Sequence, residues 1–344
     1  MPSLPTLQDI ANAAGVGKAT VSLALRNDPR LRPETRQRIQ AIAAELGYRA
    51  NATVAALMAQ LRASRTQKYQ ATLGLINASS QRDTLKNFCT FRDWVAGCMS
   101  RAAQLGYGLD DFWLSEPGIA PSRLTSILES RGIRGLVIAG VVDHGTLPAI
   151  FEPIWARFPC VVIGLRTTQP PLHSATNDQF STVLRAVEEA LKLGYQRPGL
   201  VIQEEIDANV DHRFSGGFWV GQGRLARARR LPICDFDRGK PERFQAWWAK
   251  HRPDVVITLH EEVLGWLSAM KVAVPGEVGL IHLDRTVELQ RWAGMNQSNE
   301  LVGVGAIDMI VGQIHRSEVG IPSHPRSLMI ESAWVAGETV RRQA

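Results

Sequence analysis

Residues 6–26 read TLQDIANAAGVGKATVSLALR, and this segment predicts the fold of the N-terminal part of the chain. Thr6 is followed three residues later by Asp9, which gives a carboxylate version of the capping box. A first helix is therefore expected to begin after Thr6 and to continue through Ala14. Gly15 then interrupts it, because glycine favours the turn that ends a helix.

A second short helix is expected from about Lys18 to Arg26. Two short helices joined by a turn that contains glycine form a helix-turn-helix motif, whose second helix enters the major groove of DNA. A third helix is expected to begin at Pro33 and to end at Gly47. Its apolar residues share one face, as the core of a three-helix domain requires: Ile39, Ile42, Ala43 and Leu46.

Positive charge is concentrated in the same region. Residues 1–70 hold ten lysines and arginines against four acids, whereas the other 274 residues carry 29 charges of each sign and balance. The net charge of the whole chain, +6, therefore belongs to the N-terminal region. An excess confined to one small domain is typical of a surface that binds phosphate. The alternative is a solvated basic helix face, which the underlying helix-turn-helix pattern disfavours.

The rest of the chain alternates short apolar strands with helices, after a polar linker at residues 64–70. Strands are expected near Thr72–Ile76, Leu109–Trp113, Gly135–Ala139, Val161–Gly164, Leu200–Gln203, Val255–Thr258 and Gly279–Leu283. Helices are expected near Arg92–Leu105, Ser122–Ser130, Phe180–Leu193, Phe244–Lys250 and Leu264–Met270. This alternation is typical of parallel sheets covered by helices on both faces, and its length predicts two such subdomains.

Composition excludes several classes of protein. No apolar run is long enough to span a membrane, and Met1–Ala14 lacks the layout of a signal peptide, so a cytoplasmic location is expected. The four cysteines form no C-x-x-C pair and are expected to be free thiols: Cys89, Cys98, Cys160 and Cys234. No catalytic or metal-ligand pattern stands out, so we expect neither an enzyme nor a cofactor or metal site.

Several motifs together resemble the lactose/galactose-repressor (LacI/GalR) family of bacterial transcription regulators. In the N-terminal region the resemblance rests on residues 6–11, 14–16, 19–22, 33–36 and 46–48. Beyond it, the resemblance continues through residues 132–138, 160–164, 193–195 and 274–279. Nearly the full length is covered, with the more specific match at the N-terminus. The sequence departs from the family where Gly17 replaces serine, Leu23 replaces arginine and Ala50 replaces proline.

The resemblance implies a small all-α helix-turn-helix head, followed by an α/β bilobed periplasmic-binding-protein-like (type I) domain of two parallel-sheet subdomains. The chain would cross between these subdomains three times. We expect a DNA-binding domain at 1–49, a hinge helix and linker at 50–70, and an effector-binding and dimerisation domain at 71–344. Within it, one subdomain would take about 71–175 and 296–322, and the other about 176–295 and 323–344.

The residues expected to contact DNA lie on the second helix and on the hinge. Lys18 can donate to guanine, and Ala19 or Leu23 can contact a thymine methyl group. In the resembling family the segment Asn51–Arg62 orders on DNA and inserts a leucine, here Leu57, into the minor groove. The alternative is that Leu57 packs on the larger domain. The predicted set is Thr6, Lys18, Ala19, Thr20, Ser22, Leu23, Arg26, Tyr48, Asn51, Val54 and Leu57.

The residues expected to bind an effector lie in the cleft between the subdomains. Arg213 matches the family arginine that holds a ligand hydroxyl or carboxylate, and Asp284 matches an acid that accepts from the ligand. Asp178 is a further candidate, with a helix cap as an equally good interpretation. The predicted set is Asn77, Asp178, Arg213, His260 and Asp284. Since His260 stands where the family commonly has an acid, a ligand larger or more apolar than a hexose is expected.

Taken together, the sequence predicts a homodimeric, effector-responsive regulator, most simply a repressor, that binds a pseudo-palindromic operator. The partners expected are double-stranded DNA and a small molecule such as a sugar or oligosaccharide. Two rivals come from other classes of protein. One is a solute-binding receptor, which the N-terminal domain opposes, and the other is a sugar-active enzyme fused to a DNA-binding head.

Overall fold

The computed structural model describes residues 5–25, 28, 30–46, 71–140 and 145–343. Three helices form the N-terminal domain: α1 (Leu7–Ala14), α2 (Lys18–Leu25) and α3 (Pro33–Glu45). The Asp9 N–H donates to the Thr6 hydroxyl at 3.4 Å, and the Thr6 N–H donates to the Asp9 carboxylate at 2.7 Å. Gly15 caps α1 in the left-handed region, with φ of 65°. The predicted capping box and turn are thus confirmed.

The three helices enclose a small apolar core. Each helix contributes fully or almost fully buried side chains, which are Ile10, Ala11 and Ala14 from α1, Val21 and Ala24 from α2, and Ile39 and Ala43 from α3. Leu25 is partly buried and packs against the edge of this core. The face of α2 opposite this core is left for solvent.

From residue 71 onward, strands and helices alternate. The strands are β1 (Ala71–Asn77), β2 (Tyr107–Trp113), β3 (Ile133–Ala139), β4 (Cys160–Ile163), β5 (His173–Asn177), β6 (Pro198–Val201), β7 (Val255–Thr258), β8 (Gly279–His282), β9 (Ala293–Asn296), β10 (Ser327–Ile330) and β11 (Ala333–Val335). The helices are α4 (Thr84–Asn87), α5 (Cys89–Gln104), α6 (Pro121–Ser130), α7 (Glu152–Trp155), α8 (Gln179–Lys192), α9 (Glu204–Asn209), α10 (Arg213–Gln222), α11 (Glu242–His251), α12 (Glu262–Ala269) and α13 (Asn299–Arg316). All seven predicted strands and all five predicted helices are present, whereas four strands (β5, β9, β10 and β11) and five helices (α4, α7, α9, α10 and α13) were not predicted.

The strands form two sheets, and each sheet is the centre of one lobe. The first lobe holds six parallel strands in the order β10-β5-β4-β3-β1-β2. The second lobe holds the order β11-β9-β8-β7-β6, in which only β11 is antiparallel to its neighbour. Each sheet separates two apolar clusters, so it is covered on both faces. The two predicted parallel-sheet subdomains are confirmed.

The chain crosses between the lobes three times, after β5, after β9 and after β10. The crossings lie side by side and are joined by hydrogen bonds. The Asp178 N–H, in the first crossing, donates to the Ile330 carbonyl, at the start of the third, at 2.9 Å. The Asn177 side chain likewise donates to the Gln297 carbonyl at 2.9 Å. The last crossing differs from the expected boundary at residue 323, since Ser327–Ile330 pairs with β5 and belongs to the first sheet.

Helix α13 returns to the first lobe and packs against α5 at very short range. The contact is possible because glycines lie at the crossing. A Cβ atom added to Gly303 would collide with the backbone carbonyl of Trp94, and one added to Gly97 would collide with that of Glu300. Buried side chains of α13, including Val302 and Ile307, then complete the core of this lobe.

Two further expectations concern the whole chain. The four cysteines are free, as predicted. Within the described ranges, no helix is both long enough and apolar enough to cross a membrane.

Candidate DNA-binding surface and interlobe cleft

Helix α2 presents its first residues to solvent. Lys18 and Ala19 are exposed, whereas Thr20, Ser22 and Leu23 are half-buried. The first residues of a recognition helix are those that reach base edges in the major groove. The predicted contact residues of α2 therefore lie on its solvent side, with Lys18 and Ala19 the most accessible.

The remaining predicted DNA contacts divide into two groups. Thr6 is exposed, but its hydroxyl also donates to the Asp9 carboxylate at 2.7 Å and so belongs to the cap of α1. The other five lie outside the described residues: Arg26, Tyr48, Asn51, Val54 and Leu57. The hinge helix and its leucine wedge therefore remain predictions.

One positioning residue was not found from the sequence. The Gln40 side chain, on α3, donates to the Ala24 carbonyl at 2.9 Å. Ala24 lies near the end of α2, where backbone carbonyls have no partner within the helix. Gln40 thereby fixes the second helix against the third, and no local pattern in the sequence indicated this contact.

A cavity of about 440 Å³ lies between the lobes. Its walls come from the start of α5 in the first lobe and from the carboxyl ends of β7 and β8 in the second. The lining residues are Phe88, Cys89, Thr90, Arg238, Leu259, His260, Glu261, Glu262, His282, Asp284, Thr286, Glu288 and Leu289. Ligands of open parallel sheets bind outside the carboxyl ends of the strands, and this volume suits a small molecule. Two predicted effector residues, His260 and Asp284, line it.

Asp284 connects the two lobes at this cavity. Its carboxylate accepts from the Thr90 hydroxyl at 2.6 Å and from the Asn299 amide at 2.9 Å. Thr90 and Asn299 stand at the starts of α5 and α13, which belong to the first lobe. Burial raises the pKa of Asp284, while these two hydrogen bonds act in the opposite direction. Any ligand that displaces Thr90 or Asn299 from Asp284 therefore changes a contact between the lobes.

Two histidines form much of the inner wall. Burial lowers the pKa of both His260 and His282 to about 4, so both are neutral near pH 7. The Nδ1 atom of His282 accepts from the Asp284 N–H at 3.1 Å, which leaves the ring proton on Nε2. Within the described residues, neither histidine Nε2 atom nor Oε1 of Glu262 has a hydrogen-bond partner. His282 and Glu262 were missed from the sequence, although His282 lies near the end of a predicted strand and ends the observed strand β8.

Asp178 and Arg213 lie elsewhere in the cleft. They form an ion pair at 3.1 Å, and Asp178 also accepts from the Ser181 N–H at 3.2 Å, as the cap of α8. Burial raises the pKa of Asp178, but the hydrogen bonds from Ser181 and Arg213 outweigh it and hold the pKa below its usual value. Arg213 borders a second cavity of only about 30 Å³, which has room for little more than a water molecule.

Asn77 lies in neither of these two cavities. Its amide nitrogen donates to the Arg82 carbonyl at 2.9 Å, and its oxygen accepts from the Ser79 N–H at 2.9 Å. Both partners belong to the loop that follows β1, so the side chain shapes that loop. Asn77 also lines a separate cavity of about 420 Å³ in the first lobe, so the predicted effector residues do not share one site.

Two ion pairs connect the lobes across the cleft. Arg92 of α5 pairs with Glu288, which follows β8. Arg166, in the loop after β4, pairs with Asp211 of the second lobe at 3.1 Å. Because each pair takes one residue from each lobe, opening the cleft would break both.

Comparisons with known proteins agree with this architecture. Residues 6–51 match the family model described as bacterial regulatory proteins, lacI family. The HTH-type transcriptional regulator DegA of Bacillus subtilis (strain 168) is 24% identical over 215 residues, which are 61% of this chain and 59% of DegA. The HTH-type transcriptional regulator GalR of Lacticaseibacillus casei is 30% identical over 156 residues, 44% of this chain and 41% of GalR. The chain thus spans roughly half the length of these relatives.

Two solved structures share the fold over almost the whole chain. The complex of the transcriptional regulator CelR with cellobiose has a TM-score of 0.60 and 19% identity, and the match covers 97% of this chain and 99% of CelR. The lac repressor dimer bound to operator and the anti-inducer ONPF has a TM-score of 0.60 and 19% identity, covering 98% of this chain and 100% of that one. Residues 6–51 are thus similar to the lacI family of bacterial regulatory proteins, and the chain as a whole shares the fold of these two regulators.

Proposed function

We propose that this chain is an effector-responsive, sequence-specific DNA-binding transcription regulator that acts in the cytoplasm as a repressor. The observation that carries the proposal is the exposure of Lys18 and Ala19 on α2, whose opposite face is buried against α1 and α3. The net charge of +6 over residues 1–70 supports it, because such a surface attracts DNA phosphates.

In this proposal the protein binds a pseudo-palindromic operator as a homodimer, with one α2 helix in each half-site. The lac repressor, whose fold this chain shares, is a dimer on its operator. A two-fold symmetric protein requires half-sites related by the same symmetry, here about one helical turn apart or closer. The half-site itself differs from the family's usual one, because Leu23 cannot hydrogen-bond a base edge.

A small molecule bound in the 440 Å³ cavity is the proposed effector. It would lie against Asp284 and between the residues that connect the lobes, so its binding would change their relative position. That change would reach the DNA through the segment that joins residue 46 to β1, including the predicted hinge helix. Thermodynamic linkage makes the coupling reciprocal, so operator DNA changes effector affinity by the same factor.

Deleting residues 1–62 is expected to abolish operator binding, because the proposed contact surface lies within them. An operator selected from random duplexes with the full chain would be titrated with both proteins, and the affinity of the full chain should fall by orders of magnitude between low and moderate salt. Retained binding of the same operator by residues 63–344 would refute the proposal. A full chain that selects no sequence would refute it as well.

Replacing Lys18 by alanine is expected to relax the sequence preference at one operator position by about 1–3 kcal/mol, because a lysine at this place can read a guanine edge. Arg65→Ala, in the linker, should instead weaken binding to every sequence alike. Affinities for a panel of single-base operator variants distinguish the two effects. Uniform losses for both variants would mean that Lys18 contacts phosphate and reads no base.

A further inference from the structure

The inner wall of the 440 Å³ cavity carries negative charge without a matching positive charge. Among the described residues that line it, those shielded from solvent include two carboxyl side chains, Glu262 and Asp284, and no lysine or arginine. The two histidines beside them have pKa values of about 4 and are neutral at pH 7. A ligand in this cavity therefore meets carboxylates and neutral imidazoles.

The rim of the cavity does not reverse this charge. Its exposed charged residues are Arg238, Glu261 and Glu288, of which Glu288 is paired with Arg92. Of the two exposed acids, Glu261 therefore remains, and its negative charge balances the positive charge of Arg238. The charge of the cavity as a whole is thus set by Glu262 and Asp284.

A second observation is independent of charge. His282 is 4% exposed and lines the cavity, and its Nε2–H has no acceptor within the described residues. Oε1 of Glu262 lies in the same wall and has no donor. A buried polar atom without a partner is costly, and most so when it belongs to a charged group. The wall therefore offers one acceptor and one donor that a bound molecule would satisfy.

We infer that the effector carries a protonated amine, which Glu262 and Asp284 receive, beside a hydroxyl or ether oxygen that accepts from His282. An ammonium group donates three hydrogen bonds and pairs with carboxylates through charge-assisted bonds, which are stronger than neutral ones. A metal ion is a poorer occupant, since no three metal-ligating side chains in the described part of the chain are grouped to hold one. This inference rests on the proposed function, because it names the class of molecule that the regulator senses.

The test compares probes that differ only by one or two amines in place of hydroxyl groups. D-glucosamine is paired with D-glucose, and 1,4-diaminobutane with 1,4-butanediol, each added to the full chain in a thermal-shift measurement and then in a calorimetric titration. A ligand selective for the folded state raises Tm, so at least one amine should raise it and its hydroxyl partner should not. If neither amine raised Tm more than its hydroxyl partner did, the inference would be overturned.

Variants then locate the bound amine. Glu262→Gln keeps the size of the side chain and removes its charge, so it should weaken amine binding about tenfold or more. Glu242→Gln, at an exposed position of α11, is the matched control and should leave it unchanged. Equal effects of the two variants would also overturn the inference. The comparison of probes on the unmodified protein stands even if Glu262→Gln fails to fold.

Operator binding is measured on the same preparations, so that the two proposals fail separately. Sequence-specific DNA binding without any preference for amines would refute the inference and leave the proposed function intact. Amine binding by a protein that selects no DNA sequence would refute the proposed function and leave the ligand class standing.

Discussion

Replacing Gly303 by alanine is expected to lower the free energy of unfolding by roughly 3 kcal/mol, although only one methyl group is added. The added Cβ atom would collide with the backbone carbonyl of Trp94, at the crossing of α5 and α13. A flexible side chain could move aside at small cost, but here a helix backbone would have to shift. Gly97→Ala should act similarly, since its Cβ atom meets the Glu300 carbonyl.

The measurement is urea unfolding of each variant beside the unmodified protein. Gly265→Ala is the matched control, because Gly265 also lies inside a helix, α12, but nothing stands within 4 Å of the added Cβ atom. That control should be stabilised by about 0.5–1 kcal/mol, as alanine favours a helix more than glycine does. If Gly303→Ala and Gly265→Ala changed stability equally, the close packing of α5 on α13 would be refuted.

Acidification from pH 7 to pH 4 is expected to destabilise the protein by roughly 3 kcal/mol for each of two histidines, His260 and His282. Both have a pKa of about 4 in the folded protein, against 6.5 as the ordinary value. Because the unfolded chain binds protons first, their contribution to stability is complete above pH 6.5. It is lost as the pH falls from 6.5 towards 4, and burial is the main cause in both cases.

The free energy of unfolding, measured at several pH values between 4 and 7.5, tests this expectation. His282→Gln should remove roughly half of the loss attributed to the pair, since glutamine does not titrate. His324→Gln is the control, as His324 is exposed, and its curve should keep the slope of the unmodified protein. Identical slopes for all three proteins would contradict the burial of His282 as a neutral side chain.

The sequence predicted most of the fold because its signals were local. The capping box at Thr6 and Asp9 and the β-branched runs of β3, β4 and β7 each specify an element without reference to distant residues. The unpredicted strand β5 reads HSATN and looks like a loop, although all five residues are buried. Its polar groups are satisfied by residues far along the chain, as when Asn177 bonds to the Gln297 carbonyl, and no local pattern reports such partners.

The sequence predicted some residues of the candidate site but not how the predicted residues are grouped. Ligands of parallel sheets bind at the carboxyl ends of the strands. The residues predicted there, His260 and Asp284, both line the larger cavity. Arg213 was also expected there, but an ion pair with Asp178 holds it beside the smaller cavity. Whether Arg213 meets Asp178 or Asp284 depends on how the lobes close. No local pattern in the sequence gives the distance from Arg213 to either carboxylate.

The three crossings also determine when each lobe can finish folding as the chain leaves the ribosome. The first lobe begins at β1, yet its core includes Val302 and Ile307 of α13, and its sheet ends with β10. All of the second lobe up to β9 is synthesised before those parts exist, and that lobe in turn waits for β11. Both lobes are thus completed only by β10 and β11, so a nonsense codon between residues 297 and 326 leaves two unfinished lobes rather than one intact lobe and a tail.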